Sequence, residues 1–146
     1  MNFARVAAAA FAAWVVSLPV GYVVNEILLT DVYAANAAAL RPHDAVMGYL
    51  PIGFTFTLIG FFAFAYAYAK GYEGTSGIME GIRYGVLVAM MIVCFSSVWF
   101  YATVPINGTM AMAMMIDYIA EFALYGGIVG AIYKPFPKQA PRVAHA

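Results

Sequence analysis

The sequence predicts an all-α integral membrane protein, a four-helix bundle with both termini in the cytoplasm. Three observations carry that expectation: the apolar composition, the presence of four long apolar runs, and the gathering of cations on one side of those runs. Of 146 residues, 65% are hydrophobic and 10% charged, and the mean hydropathy is +0.85. That is too much apolar surface for a water-soluble core and too few charges to cover one. A hydrocarbon layer roughly 30 Å thick takes about 20 helical residues per crossing. Four runs meet that length, at 6–30, 46–69, 84–104 and 110–133. All four are expected to be helices, because an open strand edge leaves backbone groups unpaired in hydrocarbon.

The first run follows Arg5 and continues apolar through Leu18, Val20 and Ile27 to Leu29, beyond the length of a cleaved signal sequence, so it reads as a retained span. Pro19 is an expected kink point in it, as Pro51 is in the second run. Within the second run Gly53, Thr57 and Gly60 fall on one side. In the third, Gly77, Gly81, Gly85 and Ala89 recur every four residues. In the fourth, Ala123, Gly127 and Ala131 do the same, with Gly126 and Gly130 on the neighbouring stripe. Small residues at that spacing let two backbones approach closely, so these stripes are the expected seams of the bundle. The aromatic trio Trp99, Phe100 and Tyr101 precedes a charge-free connection and reads as an interfacial belt. Residues 135–146, with Pro135, Pro137 and Pro141, read as an extended cytoplasmic tail. The second and fourth runs both end in an aromatic residue and a lysine, at Tyr68-Ala69-Lys70 and Tyr133-Lys134, a weak internal repeat.

Orientation follows the cations. Arg5, Lys70, Arg83, Lys134, Lys138 and Arg142 fall on one side of the four-span arrangement and Arg41 alone on the other. Loops that stay in the cytoplasm collect Lys and Arg, which places the termini and the middle connection inside and predicts a multi-pass protein of the cell inner membrane.

Composition and motifs exclude several classes. A formal net charge of zero gives no electrostatic hold on nucleic acid. One cysteine, Cys94, allows neither an internal disulfide nor a Cys-x-x-Cys pair. The two histidines, His43 and His145, lie outside the runs, so no pair of axial haem ligands is present. No Gly-rich phosphate loop, HExxH or Ser–His–Asp set occurs at a plausible depth, and neither catalysis nor a cofactor is expected. Met110, Met112, Met114 and Met115 cluster at one end of the fourth run, where soft thioethers suit Cu(I). Met47, Met79, Met90 and Met91 show the chain using methionine freely as apolar filler, and no metal site is assigned.

Candidate chemistry rests on two acids. Counting from Met110, Asp117 lies about 10 Å and Glu121 about 16 Å along the fourth run, near mid-membrane. Four residues apart, they share a helix face, between the small-residue seam and a stripe holding Tyr118 and Tyr125. A charge at that depth costs several kcal/mol unless it is paired, hydrated or protonated, and no Lys or Arg lies within a run to pair with it. From the first run Asn25, Glu26 and Asp31 occupy the outward third and reach Asp117 if the first and fourth helices are neighbours. The candidate polar site is therefore Glu121, Asp117, Glu26, Asn25 and Tyr118. One reading is a site that exchanges protons for a cation. The other is a set of interhelical hydrogen bonds among these residues, Ser96, Ser97 and tyrosine hydroxyls, worth roughly 0.6–2 kcal/mol each.

The stretch Asn25-Glu26-Ile27-Leu28-Leu29-Thr30-Asp31-Val32-Tyr33-Ala34-Ala35-Asn36, the Glu80-Gly81 with Gly85 of the third run, and the fourth run's Asp117 with Gly126, Gly127 and Gly130 give the chain a further signature. In these features it resembles a family of small, uncharacterised four-span bacterial membrane proteins with no assigned activity. The resemblance covers nearly the whole chain and implies fold and membrane location, but no catalytic residue. In size the chain is also similar to the small multidrug exporters, whose membrane-embedded glutamate lies in the first helix, whereas the deep acid here is Glu121 in the fourth. The expected function is a structural or accessory subunit, or a binder of a hydrophobic ligand. The alternative is a small proton- or cation-coupled transporter using Glu121 and Asp117. Expected partners are the lipid bilayer and either another membrane protein or further copies of the chain.

Overall fold

A computed structural model describes residues 1–74 and 76–133. The expected tail at 135–146 lies outside them. Among the described residues there is no strand, and four helices are long and apolar enough to cross a membrane: Phe3–Leu28, Leu50–Gly71, Gly77–Thr103 and Gly108–Ile132. They run up and down, so one end of the bundle, the near end, carries the N-terminus and the end of the second long helix with the start of the third. The far end carries the connection between the first two long helices and the turn at 104–107.

The third helix begins at Gly77 rather than at Tyr84, which draws Glu80 and Arg83 into its first turns. Packing accounts for the extension: a Cβ on Gly77 would collide with the carbonyl oxygen of Gly130, so the early glycines already lie against the fourth helix. The second helix begins at Leu50, so Pro51 occupies its first turn, where a missing N–H costs nothing, and makes no kink within it. Asn2 and Asn107 cap the first and fourth helices, accepting from the Arg5 and Met110 backbone N–H groups at 3.2 and 2.9 Å.

Two seams and an aromatic layer hold the helices together. The third and fourth helices meet backbone to backbone, Gly77 on Gly130, Gly81 on Gly126 and Gly85 on Phe122. Of the two expected stripes on the fourth helix, the seam thus runs through Gly126 and Gly130, with the Ala123 backbone nitrogen beside Gly85. Gly127 is turned aside, and a Cβ there would meet only the Ile82 side chain, at 3.2 Å. Nor do Gly53 and Gly60 form a seam, since nothing lies within 4 Å of a Cβ built on either. The first helix lies between the second and fourth and buries Ala9, Ala10 and Ala13 completely. Its Trp14 is a packing residue whose indole N–H donates to the Phe54 carbonyl at 3.1 Å.

Tyrosine and phenylalanine join the second helix to the other pair. Phe64 packs at a tilt against Tyr84 and meets Phe122 edge-on, and Phe61 meets Tyr125 edge-on at 5.1 Å between centroids. The Tyr68 hydroxyl donates to the Gly77 carbonyl and the Tyr84 hydroxyl to the Phe64 carbonyl, each at 3.0 Å. This layer fills the near half of the bundle. In the far half the second helix buries no residue before Phe61, and along its length it packs chiefly on the first helix rather than on the fourth.

The far halves of the first and third helices each contain a π-helical turn, at Val23–Leu28 and Val93–Ser97. Such turns insert one extra residue per loop of the ladder and displace carbonyls from their usual donors. Side chains answer locally. Asn25 Nδ2 donates to the Gly21 carbonyl at 2.8 Å and Thr30 Oγ1 to the Glu26 carbonyl at 2.6 Å. Beyond the first π-turn the chain crosses the far end as two short helical turns, Thr30–Ala34 and Ala37–Ala39. Val32, Tyr33, Ala39 and Leu40 pack there on Ile106, Met110 and Ala111. Buried Asn36 pins the crossing, its side-chain oxygen accepting from the Asn107 N–H at 2.7 Å while its amide donates to the Val32 carbonyl at 2.8 Å.

Candidate functional site

The candidate site lies in the far half, beyond the aromatic layer. Asp117 and Glu121 are on successive turns of the fourth helix, both half-buried, with Tyr125 one turn deeper. Side chains on a helix lean toward its N-terminus, so the Tyr125 ring carries its hydroxyl back toward Glu121. Tyr125 is 3% exposed. Its hydroxyl interacts electrostatically with Glu121 and Asp117 yet closes no hydrogen bond of good geometry. Phe61 and Phe122, packed against its ring, form the floor of the site with it.

The crossing segment provides the roof. The Tyr33 hydroxyl donates to Asn25 Oδ1 at 2.6 Å. Burial pushes the Tyr33 hydroxyl above its ordinary value, and the charges of Asp117, Tyr118, Glu26 and Glu121 push it the same way. One phenol therefore senses four of the five candidate residues and bonds to the fifth. Glu26 and Asn25 are exposed, on the rim, whereas Tyr118 is half-buried beside the two acids. Asp31 is exposed and stays outside this group.

The expected network through the serines does not form. Ser97 is buried in the second π-turn, and its hydroxyl has no hydrogen-bond partner. Antiparallel pairing through Gly81 and Gly126 places Ser97 level with the start of the fourth helix, more than two turns from Glu121. Met110 is 2% exposed and packed among Ile106 and Ala111, a core residue. No group of three or more His, Cys, Asp or Glu able to hold a metal occurs among the described residues.

Neither Asp117 nor Glu121 has an ion-pair partner among the described residues, and the span from Tyr84 to Tyr133 contains no Lys, Arg or His. At the far end Arg41 stacks over the Tyr49 ring, 4.1 Å from its centroid. A separate concavity of about 560 Å³ lies at the near end between the first two helices, walled by Phe3, Val6, Ile59, Phe62 and Tyr66. It is an open apolar groove with no acid in it.

Tyr33 and Tyr125 complete the site, and neither is among the five residues the sequence nominates. The place of Tyr125 four residues after Glu121 is a usable signal. That of Tyr33 is not, since it depends on the course of the chain after a π-turn. Comparison with protein-family models, with curated proteins and with solved structures gave no match. The chemistry of the site thus rests on its own residues.

Proposed function

We propose that this chain is a multi-pass protein of the cell inner membrane with its near end in the cytoplasm, acting as a small accessory component that binds a hydrophobic ligand in its far half. Support for the orientation comes from Arg5, Lys70 and Arg83 at the near end against Arg41 at the far end. The resemblance to small four-span bacterial membrane proteins agrees with that placement. The observation that carries the binding reading is that Asp117 and Glu121 lie half-buried on the fourth helix with no ion-pair partner among the described residues, in the half of the bundle where the second helix buries no residue. A bundle built for cohesion alone gains nothing from acids in such a position, since each costs several kcal/mol unless compensated.

Photolabelling of the purified protein in lipid nanodiscs with a diazirine-bearing long-chain alcohol tests this reading. Saturable labelling of peptides containing Thr57–Phe61 and Asp117–Tyr125, competed by the unlabelled alcohol, is the expected result. Labelling spread evenly over the lipid-facing residues, with no competition, would leave a purely structural bundle.

A second reading, proton- or cation-coupled transport, is favoured by Asp117 and Glu121 standing one turn apart without a cation. Flux measured in proteoliposomes decides it. Transport abolished by Glu121→Gln in a folded protein supports this reading, and absence of flux in the wild type removes it.

A further inference from the structure

We infer that the groove between the first two helices at the near end seats an acyl chain of a phospholipid with a net negative headgroup, its phosphate held at the Lys70 ammonium group. This site is separate from the far half and requires only that the chain spans a bilayer.

The groove owes its shape to the sizes of the residues along it. Ala7 and Ala63 leave the floor low where the two helices meet, while Phe3, Ile59, Phe62 and Tyr66 stand as walls around a space of about 560 Å³. No charged residue lines it. An open apolar groove in hydrocarbon is filled by a lipid chain or by another helix. A second helix gains from such contact only where small residues let backbones approach, as Gly81 and Gly126 do, and the bulky walls here hold a backbone away. A flexible acyl chain fits between them.

Charge at the mouth of the groove selects the lipid. Ile59, Ala63, Tyr66 and Lys70 fall on one face of the second helix by its 3.6-residue period, with Lys70 in its last turn. Ile59 and Lys70 are about 16 Å apart along the axis, against about 15 Å for the hydrocarbon of one leaflet, so Lys70 stands at headgroup level when the groove lies among the chains. Its side chain turns back along this face, the ammonium nitrogen 5.7 Å from the centre of the Tyr66 ring. Lys70 is exposed and makes no ion pair among the described residues. Glu80, an acid of the same end, is directed at the connection instead, its Oε1 accepting from the Glu73 N–H at 2.6 Å. A phosphate therefore supplies the counter-charge that the protein does not. A headgroup carrying its own cation brings that cation toward Lys70, which favours a net negative head over a zwitterionic one.

The experiment uses the full-length protein in phosphatidylcholine nanodiscs, titrated with phosphatidylglycerol or phosphatidylcholine bearing a diazirine on the acyl chain. Saturable crosslinks to 3–7 and 59–66 are expected in the wild type, with phosphatidylglycerol half-saturating at a mole fraction about fivefold lower than phosphatidylcholine. Lys70→Gln, a change at an exposed side chain, is expected to erase that difference. Ala63→Phe, also at an exposed position, is expected to fill the groove and abolish the saturable crosslinks for both lipids. Equal half-saturation of the two lipids in the wild type would overturn the anionic class. Crosslinks spread evenly over the exposed faces of all four helices would overturn the groove as a site. A phosphatidylglycerol preference that survives Lys70→Gln would overturn the assignment to that residue. A particle mass of two chains that Ala63→Phe reduces to one would place a second copy in the groove and overturn the lipid.

Discussion

Gly81 and Gly126 face each other so closely that a Cβ on either would run into the other's carbonyl oxygen. In hydrocarbon no hydrophobic drive pulls helices together, so contact of this kind, with dispersion between the two backbones, has to hold the third and fourth helices in place. The obstruction on each side is backbone, which has no rotamer into which it can retreat.

Replacing Gly81 or Gly126 with alanine should therefore separate the pair. The expected loss is at least about 1–3 kcal/mol, the usual cost of overpacking, despite the gain of about 1 kcal/mol that alanine brings within a helix. Gly53→Ala and Gly60→Ala meet open space and should keep that gain. Reversible unfolding in mixed detergent compares the four variants. A Gly126→Ala protein as stable as the wild type would mean that the helices pack elsewhere.

Tyrosine hydroxyls in the bundle should divide into two groups. Tyr68→Phe and Tyr84→Phe each remove a hydrogen bond to a backbone carbonyl across helices, at an expected cost of roughly 0.6–2 kcal/mol. Tyr125→Phe removes a buried hydroxyl that has no partner and should be neutral or slightly stabilising. The same unfolding assay measures all three, and a large loss for Tyr125→Phe would show that its hydroxyl is bonded in the folded protein.

Asn36 ties the crossing segment to the turn before the fourth helix. Asn36→Ala leaves the Asn107 N–H and the Val32 carbonyl without their partners, at an expected cost of about 1–3 kcal/mol. Hydrogen exchange should show faster opening of 30–40 and little change in the seam of the third and fourth helices. Uniform loss of protection across the chain would contradict this local role.

Tyr33 gives a pH dependence whose sign is fixed. Burial, and next the charges of Asp117, Tyr118, Glu26 and Glu121, hold its hydroxyl above the ordinary value of 10. The folded state thus favours the neutral phenol, whose contribution is complete below pH 10 and is lost as pH rises through the folded-state value. The stability difference between wild type and Tyr33→Phe should accordingly be constant from about pH 7 to 9 and shrink toward about pH 11. A difference that grows over that upper interval would place Tyr33 away from the acids.

What the sequence by itself determined was the helical class, the four apolar runs and the sharing of one helix face by Asp117 and Glu121. Each depends on composition or on the 3.6-residue period, which are properties of a single helix. Tertiary structure decided which of two adjacent small-residue stripes made the closest backbone contact, setting Gly126 and Gly130 against the third helix and turning Gly127 aside. Periodicity cannot separate stripes one residue apart, because the choice turns on how the neighbour crosses and on the bulk of residues such as Ile82 and Phe122. It also decided the early start of the third helix, whose first polar turns read as a loop until Gly77 is set against Gly130. The meeting of Tyr33 with Asn25 and the acids was likewise its work. A π-turn shifts the register of everything after it by about a residue, and only the docking of 32–40 on Ile106 and Met110 determines where that phenol comes to rest.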